Sequence, residues 1–200
     1  IGVNSSEIRK RGVEGYLKEG RWIAAGSPRN VCGKLTIKVA DGEEAGDLAE
    51  VVLIQPSAIF GNGRHPTTSL ALEWLCQYVK PGSSIVDYGC GTGILALAAA
   101  KLGSVSAYCF DTDEGARASV LSNVRLNKLE GKVKVVDHES KIPTENSIVI
   151  ANVSGLTTVK LAKNFIRLLS YEGSLVLPGL LAEDVKQNVE HYSKKVGLEV

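Results

Sequence analysis

An aspartate, three alternating glycines and a helix start follow one another in Ile85-Val86-Asp87-Tyr88-Gly89-Cys90-Gly91-Thr92-Gly93-Ile94. A short apolar run delivers the carboxylate, the glycines let the backbone turn tightly and a ligand approach without meeting a Cβ, and a helix from Ile94 to Leu102 begins with unpaired N–H groups. That is a nucleotide cradle, with Gly89, Cys90, Gly91 and Gly93 as the loop and Asp87 at its entrance. The spacing fits two ligands. Gly91-Thr92-Gly93-Ile94-Leu95-Ala96 satisfies the dinucleotide pattern G-x-G-x-x-A, and Asp111 falls at the expected distance downstream. A dinucleotide would place its pyrophosphate at the turn, where Asp87 repels it. S-adenosylmethionine (AdoMet) has no phosphate and carries an ammonium and a sulfonium, which a carboxylate attracts in a weakly screened cleft. Charge therefore favours AdoMet over NAD, against the bland alternative of a turn that binds nothing.

Further along the chain, acids and amides fall where predicted strands end. Asp111 closes a strand and is placed to accept from both ribose hydroxyls of an adenosine, since Asp113 can cap the helix that follows. Asp137 could accept from an adenine amino group or serve as a turn aspartate. Asn152 can orient an incoming nucleophile, because its amide both donates and accepts; an ordinary turn asparagine is the competing reading. A second unusual stretch, Phe60-Gly61-Asn62-Gly63-Arg64-His65-Pro66-Thr67-Thr68, has two glycines, a basic pair and a helix start, as a lip over a site would. His65 reads as a capping or surface residue, and Cys90 as a packing choice within the loop.

These residues need a scaffold, and the pattern from Ser84 onward supplies one by alternating strand and helix. Strands are predicted at Ile85 to Tyr88, Val105 to Phe110, Val133 to Val136, Ser147 to Val153 and Ser174 to Leu177. Helical spacing recurs in Leu161, Ala162, Phe165, Ile166 and Leu169, and in Leu181, Val185, Val189, Tyr192 and Val196. This is an α/β pattern, and ligands of such sheets bind beyond the carboxyl ends of the strands, so Asp87, Asp111, Asp137 and Asn152 should share one edge. Pro66 and Thr67 start a helix striped by Leu72, Leu75, Cys76 and Val79, which Pro81-Gly82 ends. Before Phe60 the chain has strand-like runs at Leu35 to Val39 and Val51 to Ile54 without helices. Two domains are expected: an accessory β segment or linker over residues 1–59 and a nucleotide-binding domain over 60–200. Gly197 to Val200 reads as the opening of a further strand.

Two hundred residues suffice for one full core, and a net charge of +1 argues against a broad nucleic-acid footprint. Residues 7–34 are rich in lysine and arginine, whereas Asp41, Glu43, Glu44, Asp47 and Glu50 form an acidic stretch, read as solvated surface. Cys32, Cys76, Cys90 and Cys109 lack metal-ligand spacing, so reduced thiols and no metal site are expected. No run reaches the length of a membrane span, and no signal pattern opens the chain, so a soluble cytoplasmic protein is expected.

With the two loops in hand, the chain resembles the PrmA family, the AdoMet-dependent methyltransferases of ribosomal large-subunit protein eleven. The likeness runs from about Phe60 to Leu198, through the Phe60–Thr68 loop, Val86–Ala96, Asp111-Thr112-Asp113, Ala151-Asn152-Val153 and Gly179-Leu180-Leu181. It implies a Rossmann-like class I methyltransferase sheet with helices on both faces, AdoMet as donor, and lysine side chains or a terminal amine of a ribosomal protein as acceptor. Thr67 and Thr68 would lie near the methionine moiety, the glycine loop with Asp87 and Asp111 would hold the cofactor, and Asn152 would face the transfer centre. The family's separate recognition domain would be missing or reduced to the first fifty-odd residues, and the last strands of the fold incomplete. Methylation of another protein or a small molecule, a non-catalytic AdoMet-binding module and an NAD-dependent oxidoreductase are the alternatives. Glutamine methylation is disfavoured, because Asn152-Val153-Ser154-Gly155 stands where Asn-Pro-Pro-Tyr is expected.

Overall fold

The computed structural model describes residues 15–18, 21–24, 28–40 and 50–199. Asp41, Glu43, Glu44 and Asp47 of the acidic stretch, and Arg9, Lys10 and Arg11 of the basic stretch, lie outside them; Glu50 is exposed. Strands β1 (Gly15–Lys18) and β2 (Arg21–Ala24) form an antiparallel pair. A three-stranded sheet follows: β3 (Arg29–Val31) runs antiparallel to β4 (Leu35–Val39), which runs parallel to β5 (Val51–Ile54). Cys32 and Gly33, both at positive φ, make the tight turn between β3 and β4.

From Pro66 the chain alternates. Helix α1 (Pro66–Tyr78) leads to β6 (Ser84–Tyr88), α2 (Ile94–Lys101), β7 (Ser106–Phe110), α3 (Glu114–Leu126) and β8 (Val133–Val136). After a short 3-10 turn come β9 (Asn146–Ala151), α4 (Gly155–Lys160), α5 (Ala162–Leu168), β10 (Leu169–Val176) and α6 (Ala182–Glu190), which continues as a π-helical turn over His191–Val196. Strands β6 to β10 form one parallel sheet in the order β10-β9-β6-β7-β8.

Helix α2 explains the layering. Its sequence ILALAAAK is apolar all round, and every residue from Ile94 to Ala100 is buried. Such a helix needs cover on both sides, and its alanines permit close approach. The five-stranded sheet lies on one side; Val31, Leu35, Ile37, Val52 and Ile54 of the small sheet belong to the same core. A second apolar cluster around Phe165, Leu168 and Tyr192 packs Val86, Tyr88, Val149 and Ala151 on the opposite face of the large sheet. The three-stranded sheet thus adds a layer over the helices of one face.

Three differences from the sequence reading have physical causes. β10 begins at Leu169, five residues before the predicted Ser174, because a register irregularity between Leu169 and Ser174 lets the earlier residues pair with β9. The helical run predicted from Leu161 forms α5, while α4 starts separately at Gly155 behind Ser154. Residues 197–199 form no strand, since Gly197 turns into the left-handed region and ends the preceding helix. No helix among the described residues is long and apolar enough to cross a membrane, and none of their His, Cys, Asp and Glu side chains form a group of three or more able to hold a metal.

Candidate functional site

Strand register builds the site. Tyr88 of β6 stands opposite Phe110 of β7 and Ala151 of β9, and Phe110 opposite Val136 of β8. The next residues along these strands are Gly89, Asp111, Asn152 and Asp137, so one edge of the sheet carries the glycine loop and the residues singled out from the sequence. Asp87 lies two positions inside that edge. Val86 and Tyr88 serve the Phe165 cluster, so the alternation of the strand turns Asp87 to the α2 side.

There its Oδ2 accepts from the Ala96 N–H at 3.1 Å. The N-cap of α2 is Gly93, which has no side chain to satisfy an orphan donor, and Asp87 does so from the strand. The carboxyl is 1 % exposed. Burial pushes its pKa up to about 8; the Ala96 hydrogen bond opposes this and repulsion from Asp111 adds to it. The fixed negative charge expected at Asp87 is therefore a protonated carboxyl at neutral pH, one that a cation beside it would ionise.

Asp111 is held at both oxygens. Gly91 N donates to Oδ2 and Asp113 N to Oδ1, each at 3.0 Å, which leaves acceptor capacity on both atoms. Asp113 caps α3 through Gly115 N, as expected. Arg117 donates to the main-chain carbonyls of Asp111 and Thr112, fixing the bend.

The loop amides have all found acceptors within the protein. Gly89 and Cys90 donate to the Phe110 carbonyl, Gly91 to Asp111, Thr92 to the Phe60 carbonyl and Gly93 to the Cys90 carbonyl. None of these five N–H groups is left to cradle a pyrophosphate. The space freed by the missing Cβ atoms is also taken: a Cβ on Gly89 would lie 2.8 Å from Val153 Cγ1, on Gly91 2.3 Å from the Phe60 oxygen, and on Gly93 2.7 Å from Val120 Cγ1. The glycines admit the protein's own chain at these points, where the sequence suggested a ligand.

The neighbour admitted at Gly91 is the lip. Besides its main-chain bond to Phe60, Thr92 donates its hydroxyl to the Gly61 carbonyl at 2.6 Å. His65 caps α1 from the β region, with Nδ1 facing Thr67 N and Thr67 Oγ1, and its ring meets Phe60 edge-on at 5.2 Å. Thr68 is buried, and its Oγ1 is 3.4 Å from Asn152 Nδ2. Lip, glycine loop and the end of β9 thus converge.

Two further residues of the expected site have partners of their own. Asp137 is exposed and paired with Lys141 Nζ at 2.7 Å, which lowers its pKa. Cys90 is buried against Cys109; that hydrogen bond lowers the pKa of its thiol, but burial and the carboxyls of Asp87 and Asp111 raise it more, so the thiol is inert. Sequence reasoning missed Thr92 and Asn123. Asn123 Nδ2 donates to the Thr92 carbonyl at 2.9 Å while its Oδ1 accepts from Gln55 N at 2.8 Å. A polar residue on the apolar face of α3 was the available signal. Two cavities among the described residues, of about 420 and 680 Å³, lie beside Trp74 and Tyr192 and beside Lys163 and His191.

The sequence pattern of the family Ribosomal protein L11 methyltransferase (PrmA) matches residues 18–200. The chain belongs to the PrmA family. Ribosomal protein L11 methyltransferases of Alteromonas mediterranea and Methylococcus capsulatus are 37 % and 35 % identical to it, over 148 and 147 residues. Each alignment covers 74 % of this chain and, respectively, 51 % and 50 % of the relative, so the chain spans about half the length of the PrmA relatives it matches. The crystal structure of ribosomal protein L11 methylase from Lactobacillus delbrueckii subsp. bulgaricus has the same fold, with a TM-score of 0.72 at 21 % identity, covering 84 % of this chain and 87 % of that one.

Proposed function

We propose that this member of the PrmA family binds AdoMet at the glycine loop and transfers its methyl group to an amine of a ribosomal protein, in the cytoplasm. The observation that carries the reading is the engagement of all five loop amides, Gly89 to Gly93, by acceptors of the protein itself. A cofactor anchored by pyrophosphate needs those amides, whereas one recognised through ribose hydroxyls and positive charge needs carboxyls. Asp111 offers unused lone pairs for hydroxyls, and Asp87 offers a buried carboxyl that a cation can ionise.

AdoMet, when bound, supplies a methyl group on a sulfonium. The chain's own residues align and desolvate. Asp111 is held rigid by Gly91 and Asp113 to receive the ribose, and Thr67 and Thr68 lie on the lip that excludes water. Asn152 presents an amide to the incoming amine and is oriented in turn by Thr68. A lysine ammonium must lose its proton before its lone pair can attack; burial beside a positive charge favours that loss.

Incubating the protein with labelled AdoMet and ribosomal proteins, followed by mass mapping, tests the proposal. The expected label lies on lysine side chains or the terminal amine of ribosomal large-subunit protein L11. Calorimetry that detects NAD but no AdoMet would overturn the cofactor reading, and AdoMet binding without transfer to any ribosomal protein would overturn the activity.

A further inference from the structure

Arg29, the first residue of β3, reaches out of the accessory sheet into the lip. Its Nη1 donates to the Gly63 carbonyl at 2.7 Å and to the Ser69 hydroxyl, and its Nη2 lies 3.3 Å from Glu73 Oε1. Ser69 passes the constraint back to the lip, since its Oγ donates to the His65 carbonyl at 3.1 Å. Gly63 is wedged from the other side as well: at φ +82°, a Cβ on it would lie 3.0 Å from Ile94 Cδ1 and 3.2 Å from Ile37 Cγ2. One guanidinium therefore fixes the middle of the lip and the first two turns of α1, where Thr67 and Thr68 stand. Its planar fork suits three acceptors at once, and a lysine could not reproduce that.

We propose that Arg29 is a positioning residue for methyl transfer: by clamping Gly63 and Ser69 it sets the Thr68 hydroxyl toward Asn152. This rests on the reading of the loop as an AdoMet site. It makes the accessory sheet part of the catalytic apparatus through a residue that touches neither cofactor nor acceptor. Freed from the clamp, Gly61 to His65 retains Thr92 as its anchor but loses its fixed path into α1.

Calorimetry with AdoMet separates positioning from mere stability, because stoichiometry counts folded sites while Kd reports their geometry. Arg29→Ala should raise Kd and the KM for AdoMet by about tenfold with stoichiometry unchanged, and Arg29→Lys should recover part of the loss. Glu73→Gln, which spares the bond to Gly63, should stay within about twofold of wild type. An unchanged Kd with reduced stoichiometry would make Arg29 purely structural, and a Glu73→Gln loss equal to that of Arg29→Ala would place the effect in the ion pair. If Arg29→Ala fails to fold, Arg29→Lys carries the test: its Kd must rise at least about threefold at full stoichiometry, and an unchanged Kd sinks the proposal. Failure of the wild-type protein to bind AdoMet would overturn the cofactor reading instead.

Discussion

The Thr92 hydroxyl donates to the Gly61 carbonyl at 2.6 Å, so the glycine loop and the lip form one bonded unit. Thr92 is 1 % exposed, and its amide donates to the Phe60 carbonyl at 3.0 Å, which makes two bonds between the same pair of loops. Gly91 makes them possible by leaving room for the Phe60 oxygen. Gly91→Ala should therefore detach the lip. Its φ of +53° alone costs an alanine roughly 1–2 kcal/mol, and the contact with Phe60 adds to that. Denaturant unfolding should show a loss of at least that size, and calorimetry should show weakened AdoMet binding.

Asn123 joins the two sheets through the glycine loop. Fully buried, it links Gln55 N at the end of β5 to the Thr92 carbonyl, and Asn127 one turn later bonds both Leu53 N and Leu53 O. Asn123→Ala strands a donor and an acceptor, so chemical denaturation should show a loss of about 2–4 kcal/mol. Asn123→Asp keeps the acceptor for Gln55 but loses the donor to Thr92. It should destabilise comparably, since a carboxylate would then face a carbonyl.

The parallel sheet was legible because its strands are short apolar runs whose last residues are chemically distinctive. Val133–Val136, Leu35–Val39 and Val51–Ile54 form over the predicted spans, and His65 and Asp113 cap the helices they precede. The side-chain partners were not legible. Asp87 reads as a fixed charge at the loop entrance, but strand alternation turns it under α2; Asp137 reads as an adenine partner or a turn aspartate, and its pairing with Lys141, four positions on, is a contact the reading did not contain. Arg29, Thr92 and Asn123 depend on partners 31 to 68 residues away, a separation at which periodicity is silent.

Asp87 should make stability fall as pH rises. Its folded pKa near 8 stands above the ordinary carboxyl value of 3.8, so between those limits the folded state holds a proton that the unfolded state has lost. The contribution is fully present below about pH 4 and is lost as pH rises through 8, with a slope of at most ~1.4 kcal/mol per pH unit. Asp87→Asn keeps an acceptor for Ala96 N and removes the titration. Urea unfolding at several pH values should show a flatter profile for the variant and, near neutrality, no loss of stability.

The same proton should leave when AdoMet binds. A sulfonium or ammonium near Asp87 favours the carboxylate, so binding at pH 7 should release up to about one proton. Calorimetric titrations in buffers of different ionisation enthalpy would measure it. Asp87→Asn should abolish the difference between buffers while weakening affinity; a wild-type binding enthalpy independent of buffer would mean that Asp87 does not ionise in the complex.

Asn152 separates binding from transfer. It follows β9 at the edge shared with Gly89 and Asp111, its Nδ2 is 3.4 Å from Thr68 Oγ1, and its Oδ1 would lie 3.1 Å from a Cβ on Gly179. The amide is thus hemmed by the lip on one side and the Gly179 turn on the other, which limits the rotamers it can adopt. Asn152→Ala removes the group proposed to orient the amine but none of the contacts that hold Asp87 or Asp111. AdoMet affinity should stay within about threefold of wild type, and turnover should fall roughly a hundredfold, the size expected for a misplaced nucleophile. Thr68→Val, which keeps the shape of the side chain and removes the hydroxyl beside Asn152, should lower turnover less than Asn152→Ala does. Full turnover in Asn152→Ala would assign the orienting role to another residue.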